Sequence, residues 1–282
     1  MPSNVRSTVR RVPRLPAPGS EKSLVPALDR GVDVIEFMAR TNEALSLTEI
    51  ARAVERTVSE VQRTVAQLAA RAYLVRDEHG AYRLSSKLFR LATTYPPFRD
   101  LVSRALGPMQ RFADSTSEAV HLGVLSDDQL LIVAQVEGQG IVRLSLQVGS
   151  TQDPLQTVSG RILLSGQASD ELSAFEQRRK LSRSARARLA ATAVGLAARG
   201  YEYADSARVH GVQDVGVPVA LPGGSIIAAL TCSFLPLKAA KPAPAPLVSA
   251  LHVAAAAISA SYEPVARDLL IAEAAKRTRK RP

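Results

Sequence analysis

The sequence is poor in the residues that cross-link a protein or anchor it in a membrane. Its 282 residues include a single cysteine, Cys232, which excludes an intrachain disulfide framework and a cysteine-only metal site and fits a reducing compartment. No segment approaches the roughly 20 uninterrupted apolar residues that a membrane helix needs. Residues 1–20 also lack the apolar stretch of a signal peptide. We therefore expect a cytoplasmic protein without a membrane partner.

Groupings of catalytic or metal-binding residues are missing as well. The four histidines, His79, His121, His210 and His252, are scattered, and no two of them have the i, i+4 spacing of a zinc-binding helix. No glycine-rich phosphate loop or dinucleotide fingerprint follows a candidate strand. The sequence thus predicts a protein that is not an enzyme and holds no metal or cofactor. His121 lies in an apolar strand and is interpreted as a hydrogen-bonded core residue.

The excess of positive charge lies mostly at the two ends of the chain. Of a net charge of +10, residues 1–30 and 265–282 carry about +8, because each segment holds six Lys or Arg against two acids. Residues 1–23 are rich in Pro and Arg and predict a disordered basic arm, and residues 276–282 form a basic tail. These ends either attract phosphate without regard to base sequence or only keep the chain in solution.

Two capping boxes, eleven residues apart, predict a helix-turn-helix. They are Ser46-Leu-Thr-Glu49 and Thr57-Val-Ser-Glu60, and each opens a short helix. Apolar residues recur at helical spacing after each box and predict one buried stripe on each helix: Leu47, Ile50, Ala51 and Val54, then Val58, Val61, Val65 and Leu68. The second helix leaves four side chains facing outward that can bond to base edges or phosphates: Ser59, Gln62, Arg63 and Gln67.

The flanking segments extend this pair to a winged helix over residues 24–94. A preceding helix carries an apolar stripe that we expect to pack against the pair: Leu28, Val32, Ile35 and Met38. Downstream, residues 73–75 and 81–84 predict two strands joined by a polar turn over residues 76–80. Arg76 and Arg83, in this wing, join the candidate DNA contacts.

The C-terminal half predicts an α+β domain with a mainly antiparallel sheet over residues 117–275. A helical linker over residues 95–116, broken at Gly107-Pro108, precedes it. The predicted strands have hairpin-short connections and span residues 119–125, 129–136, 141–146, 212–221 and 225–234. Helices are predicted from Ser159, over 170–178, over 184–199 and over 247–275, with a loop over 236–246.

These segments occur in an order that resembles the IclR family of bacterial transcriptional regulators, over nearly the whole chain from Leu28. The similar blocks include Leu47-Thr-Glu-Ile-Ala-Arg52, Tyr82-Arg-Leu84, Val120-His-Leu122 and Ser159-Gly-Arg-Ile-Leu-Leu164. The resemblance implies a winged-helix DNA reader, a helical linker and a GAF-like effector domain, assembled as a homodimer or a dimer of dimers. The implied partners are a palindromic double-stranded DNA operator and a small-molecule effector.

The resemblance also implies where the effector binds: Val158, Ser159, Asp214, Thr231 and Ser233. Backbone N–H groups at the helix start near Ser159-Gly160 can hold a carboxylate. The sequence departs from the family pattern at Gln156, Arg161, Ala204 and Asp214, where His, Lys, an acid and Cys are common. An aspartate in the site disfavours an anionic ligand unless it is protonated or paired. This leaves open an effector other than a simple organic acid, no effector at all, or a loop role for Asp214.

A second interpretation is a ligand-sensing or protein-interaction module in which sequence-specific DNA recognition is weakened or lost. It rests on the acids around the recognition helix and in the wing, Glu55, Glu60, Asp77 and Glu78, because carboxylates near phosphates oppose binding. For Glu60, at a position where the family contacts DNA, we expect the capping box to hold the carboxylate.

Overall fold

The computed structural model describes residues 25–41, 43–94, 96–140, 143–236 and 245–262. The chain divides into two compact units, Met1–Tyr95 and Pro96–Pro282. The predicted basic arm and basic tail lie outside the described residues, as do residues 263–275 of the predicted terminal helix.

The N-terminal unit is a helix-turn-helix followed by a small hairpin. Its elements are α1 (Pro26–Met38), α2 (Leu47–Ala53), α3 (Val58–Ala70), β1 (Leu74–Arg76), β2 (Tyr82–Leu84) and α4 (Lys87–Thr94). β1 and β2 pair antiparallel, and Leu45 adds an isolated bridge to Tyr82. The predicted helices and wing strands are therefore present, whereas α4 was not predicted.

Helix α1 packs with a different face from the one that its sequence predicts. Val34 and Met38 are buried against the core of the helix-turn-helix, but Leu28 is 63% exposed and Val32 is 44% exposed. Both sets of residues have helical spacing, so periodicity alone does not decide which of them faces inward. The prediction for Leu28 and Val32 is wrong, and so is that for Val58, which is 40% exposed at the start of α3.

The C-terminal unit is a six-stranded antiparallel sheet with helices on both faces. Its strand order is β5-β4-β3-β8-β7-β6. The strands are β3 (Val120–Ser126), β4 (Gln129–Val136), β5 (Thr151–Gln152), β6 (Glu202–Asp205), β7 (Gln213–Ala220) and β8 (Ile226–Phe234). The helices are α5 (Pro96–Thr116), a 3-10 turn (Pro154–Gln156), α6 (Val158–Ser165), α7 (Ser169–Arg178), α8 (Arg183–Arg199) and α9 (Ala245–Ala260).

Helices α5 and α9 cover one face of the sheet and α6 covers the other. The first interface buries the side chains of Leu101, Met109, Phe112 and Leu251, and the second buries residues of α6 such as Ile162. Helix α6 lies very close to the strands because glycines face it. A Cβ at Gly216 would come within 2.9 Å of Val158 Cγ1 and 3.0 Å of Ile162 Cδ1 on α6, so a side chain there would push the helix away.

Three predictions for this unit are wrong. The linker is one helix, α5, with Pro108 inside it. Proline removes one intrahelical hydrogen bond, but burial of Leu101, Met109 and Phe112 holds both halves on the sheet. The strand predicted over 141–146 is absent from its described residues, 143–146, and β5 pairs with β4 instead. The predicted 236–246 loop ends earlier, because α9 begins at Ala245.

Candidate DNA-binding and effector-binding sites

The start of α3 is fixed by the predicted capping box. Thr57 Oγ1 accepts a hydrogen bond from Glu60 N at 3.4 Å, and Glu60 Oε2 accepts from Thr57 N at 2.9 Å and from Thr57 Oγ1 at 2.7 Å. The side-chain and backbone bonds from Thr57 lower the pKa of Glu60 below its usual range. The carboxylate of Glu60 is thus held by the cap, as expected, and the matching box at Ser46 and Glu49 starts α2.

The turn between α2 and α3 is a C-terminal cap without glycine. Arg56 N donates to Ala51 O at 2.9 Å and Glu55 N donates to Arg52 O at 3.2 Å, the paired bonds of a Schellman motif. Glu55 occupies the left-handed position with φ 55°, where glycine is the usual residue. With both ends capped, the direction in which α3 leaves the turn is fixed.

Four side chains predicted to contact DNA lie together on the exposed face of α3. Ser59, Gln62, Arg63 and Gln67 are all exposed, and their i, i+3, i+4, i+8 spacing places them on one side of the helix. The Ser59 hydroxyl lies 3.3 Å from Thr57 Oγ1, so it is partly engaged with the cap. Val61 and Val65 on the opposite side are fully buried.

The wing holds its two arginines on opposite faces. Arg76 pairs with Tyr82 and Arg83 pairs with Val75 in the β1–β2 register, and cross-strand partners share a face. Both arginines are exposed. Arg76 Nε donates to Gly80 O at 3.4 Å and its guanidinium lies 5.7 Å from the Tyr82 ring centroid. Arg83 therefore projects from the face opposite Arg76 and Tyr82.

A cavity of about 370 Å³ lies between α6, the sheet and the segments that connect the strands. All five residues that the family resemblance assigns to the effector site line it: Val158, Ser159, Asp214, Thr231 and Ser233. They come from α6, β7 and β8. These positions are therefore brought together in one concave site, which is the usual location of a small-molecule ligand.

A buried hydrogen-bond row forms the inner wall of this cavity. His121 Nε2 lies 3.1 Å from Ser159 Oγ, and Ser159 Oγ lies 2.8 Å from Thr231 Oγ1. Burial lowers the pKa of His121 to about 4, so the imidazole is neutral at pH 7. The expected hydrogen bonding of His121 is confirmed. Its place in the cavity wall was not foreseen.

Asp214 lies on strand β7, not in a loop as the alternative reading of the sequence suggested. Its Oδ1 accepts a hydrogen bond from Ser233 Oγ at 2.6 Å. Burial raises the pKa of Asp214, and this is opposed by the bonds from Ser233 and Ser206 and by the charge of Arg161. The carboxylate therefore has local partners and also lines the cavity.

The start of α6 has fewer free backbone N–H groups for an anion than the sequence suggests. Gly160 N donates to Thr157 Oγ1 at 3.1 Å, so this N–H is already satisfied by the helix cap. Arg161 points to a different place: its Nε and Nη2 each lie 3.2 Å from Glu202 Oε1. Arg161 thus forms a buried ion pair with strand β6 and is not among the residues lining the cavity.

Several lining residues were missed from the sequence. Gln147, Gln152, Ser206 and Arg208 contribute polar side chains. They lie in segments that are far apart along the chain, and no local motif marks them. The cysteine behaves as a core residue: Cys232 is fully buried on β8, and burial raises the pKa of its thiol.

Signs of a metal site or of a membrane helix are also absent where the structure can be described. No group of three or more His, Cys, Asp or Glu side chains there could hold a metal ion. Among the same residues no helix combines the length and apolar character needed to cross a bilayer.

Two family models match the chain. A model described as bacterial transcriptional regulator IclR C-terminal matches residues 95–260, more than half of the sequence. A model described as IclR helix-turn-helix domain matches residues 27–78. The second match contains both capping boxes, and the first contains every residue that lines the cavity.

Known relatives align with the chain over most of their own length. The HTH-type transcriptional regulator BhcR of Paracoccus denitrificans is 27% identical over 73% of this chain and 76% of its own. KdgR of Escherichia coli is 26% identical over 77% of this chain and 85% of its own. The structure of an IclR homologue from Microbacterium hydrocarbonoxydans with 4-hydroxybenzoate has a TM-score of 0.69 at 24% identity, covering 83% of this chain and 98% of that one.

These similarities confirm the α+β fold expected from the sequence, with an N-terminal helix-turn-helix and a C-terminal antiparallel sheet flanked by helices. The relatives named are transcriptional regulators. The chain belongs to the IclR family of DNA-binding bacterial transcriptional regulators.

Proposed function

We propose that this regulator binds a palindromic operator as a homodimer, alone or as a dimer of dimers, and responds to a small molecule in the cavity of its C-terminal unit. The observation that carries the proposal is the doubly capped α3, which presents four polar side chains on one exposed face. DNA lies in the bacterial cytoplasm, so we expect the protein to act there.

Gln62 and Arg63 are the proposed base-reading residues. An amide can bond to adenine through two atoms, and a guanidinium can do the same with guanine. Ser59 and Gln67 are proposed to contribute bonds at the ends of the same face, and Arg76 and Arg83 to contact phosphate from the wing. Since Glu60 is held by its cap, it stays clear of the base edges.

Replacing Arg63 with alanine is expected to weaken specific binding by about 1–3 kcal/mol, roughly 5- to 150-fold, because a bidentate contact to a base is lost. The measurement is fluorescence anisotropy on genomic fragments that the protein enriches at moderate salt. Arg71→Ala is the charge-matched control, since Arg71 lies at the other end of α3, about 12 Å away along the helix axis.

Equal losses in Arg63→Ala and Arg71→Ala would contradict the role given to Arg63. Fragments recovered without any sequence preference would instead support the alternative function, a sensing module with lost DNA recognition. Three acids favour that alternative, because carboxylates near phosphates oppose DNA binding: Glu55 in the turn and Asp77 and Glu78 in the wing.

A homodimer is proposed because α1 and α4 present apolar side chains to solvent. Leu28 is 63% exposed and Val32 is 44% exposed on one face of α1, while Phe89 is 71% exposed and Leu91 is 49% exposed on α4. Leu28 and Val32 are four residues apart on one face of α1, and exposed apolar side chains grouped in this way are typical of protein interfaces. An interface on the N-terminal unit would present two copies of α3 to a palindrome.

The double variant Leu28→Glu/Val32→Glu is expected to weaken dimerisation by at least about tenfold, because four buried charges would face each other across a two-fold axis. Sedimentation equilibrium measures the dissociation constant. Val194→Glu is the matched control, since Val194 is 70% exposed on α8. Unchanged dimerisation in the double variant would place the interface elsewhere.

The effector role rests on the cavity and on the placement of the five predicted residues around it. The homologue from Microbacterium hydrocarbonoxydans binds 4-hydroxybenzoate, so a small-molecule ligand is consistent with the fold. A bound ligand would stabilise the folded unit and raise its melting temperature. It would regulate DNA binding if it binds the DNA-bound and free forms with different affinity.

A further inference from the structure

The cavity wall combines many polar side chains with apolar surface. Six of its twenty described lining residues are apolar and the other fourteen carry polar side chains, although apolar atoms make up more than half of the exposed wall. None of the twenty described lining residues is Phe, Tyr or Trp, and the one aromatic ring among them is the imidazole of His121. A ligand that fits this wall can bond to several polar groups while its carbon skeleton covers apolar surface.

The Asp214 end of the cavity requires hydrogen-bond donors. Ser233 Oγ donates to Oδ1 of Asp214 at 2.6 Å, and a carboxylate has further acceptor positions. Burial already raises the pKa of Asp214, so a ligand carboxylate beside it would either meet a like charge or require Asp214 to take up a proton, and both oppose its binding. The group that binds Asp214 is therefore a neutral donor, such as a hydroxyl, or a cation.

The positive charges near the cavity argue against a cation. Arg208 lines the cavity, and the charge of Arg161 acts on Asp214 from behind the wall. These positive charges oppose the binding of an ammonium group at Asp214. A hydroxyl donates to Asp214 without this repulsion, so the donors that fit are neutral.

A second polar row lies one step along the strands. His121, Ser159 and Thr231 form it, and Thr231 precedes Ser233 by two residues on β8, so the two rows face the same side about 7 Å apart. The row is neutral at pH 7, because His121 is uncharged. It can both donate and accept, as the amides of Gln147 and Gln152 at the cavity wall can.

We propose that the effector is a small, uncharged polyhydroxylated molecule, a polyol or a simple sugar, with two of its hydroxyl groups bound to the Asp214–Ser233 pair and to the His121–Ser159–Thr231 row. This rests on the proposed effector role of the same cavity. Asp214 acts here as the residue that selects a neutral ligand over its acidic counterpart.

Matched pairs of probes test this ligand class with the full chain. Xylitol and xylonate, and sorbitol and gluconate, differ only in having a hydroxymethyl group or a carboxylate at one end. Glycerol, erythritol, xylose and glucose complete the panel, with 4-hydroxybenzoate as the aromatic acid. Thermal shift finds the ligands and titration calorimetry gives their affinities. We expect at least one polyol or sugar to bind about tenfold or more tightly than its acid.

The variant Asp214→Asn tests whether Asp214 determines the preference for a polyol over its acid as well as the affinity for the polyol. An amide keeps the size of the carboxylate but loses its charge and one acceptor, so we expect affinity for the polyol to fall about tenfold and its preference over the acid to shrink towards one. Asp205→Asn is the control, because Asp205 is exposed on β6 and does not line the cavity. Val209→Trp, at an exposed lining position, should block all binding.

Two results overturn the proposed ligand class. One is tighter binding of the acid, or of 4-hydroxybenzoate, by the unmodified protein. The other is a panel in which no polyol or sugar binds. DNA binding of the same preparation is measured in parallel with the genomic fragments. If no polyol or sugar binds but the protein still prefers particular DNA fragments, only the ligand class is wrong and the proposed regulator function stands. If the protein shows no preference among DNA fragments, the proposed regulator function is contradicted whatever the ligands do.

Discussion

Replacing Glu202 with alanine is expected to destabilise the C-terminal unit by about 3–5 kcal/mol, because it leaves a buried guanidinium without a counter-charge. The side chains of Arg161 and Glu202 are 8% and 12% exposed. Glu202 Oε1 accepts from Arg161 Nε at 3.2 Å and from Thr192 Oγ1 at 3.3 Å. These bonds tie α6 and α8 to the edge strand β6.

Urea unfolding followed by circular dichroism measures the effect on Glu202→Ala. Arg178→Ala is the control, since Arg178 is 57% exposed in its pair with Asp128 and an exposed pair contributes about 1 kcal/mol or less. The double variant Arg161→Met/Glu202→Leu should recover most of the loss, because no unpaired charge remains buried. Equal losses of unfolding free energy in Glu202→Ala and Arg178→Ala would show that the buried ion pair contributes no more to stability than the exposed one.

The parts of the fold that the sequence predicts correctly depend on local chemistry. The two capping boxes place the starts of α2 and α3, since each box uses only residues within four positions of one another. The turn between β3 and β4 is of the same kind: Asp127 and Asp128 both have positive φ, 49° and 59°, as a two-residue hairpin turn requires.

The errors arise where two faces or two partners compete. On α1, the stripe with Leu28 and the stripe with Met38 both have helical spacing, and only packing against the rest of the unit buries the second. On α5, Pro108 indicates a break, but contacts of residues distant in sequence keep the helix whole. Tertiary burial overrides the local signal in both places.

The candidate sites follow the same division. The exposed face of α3 could be predicted from the sequence, because all its residues lie within one helix at helical spacing. The cavity combines α6 with strands from both ends of the unit, so its five predicted residues came from a family resemblance and not from spacing. His121 was placed correctly in a buried strand. Its hydrogen-bond partner Ser159 lies 38 positions further along the chain, and Thr231 lies 72 positions beyond Ser159, so no local pattern connects the three.

Gly160→Ala is expected to cost about 3 kcal/mol, at the upper end for overpacking, because the new methyl group would meet backbone that cannot turn aside. A Cβ at Gly160 would lie 2.3 Å from both Cα and O of Pro154. The gain in helix propensity, about 1 kcal/mol, is too small to offset this clash. The 3-10 turn would have to move, and Gln156 in the cavity wall would move with it.

Gly107→Ala provides the matched control within the same unit. Gly107 also lies inside a helix, but apart from its chain neighbours and its own helix backbone a Cβ there would meet Arg111 Nη1 at 3.6 Å, an ordinary contact. We expect this variant to change stability by no more than about 1 kcal/mol, because the smaller entropy loss of alanine is opposed by the restriction that Pro108 places on the residue before it. Thermal unfolding of both variants compares them directly. If Gly160→Ala were as stable as Gly107→Ala, α6 could shift away from Pro154 at little cost, and the cavity wall would be adjustable. A large difference in stability means that Gly160 sets how closely α6 approaches the 3-10 turn, and therefore the width of the cavity beside it.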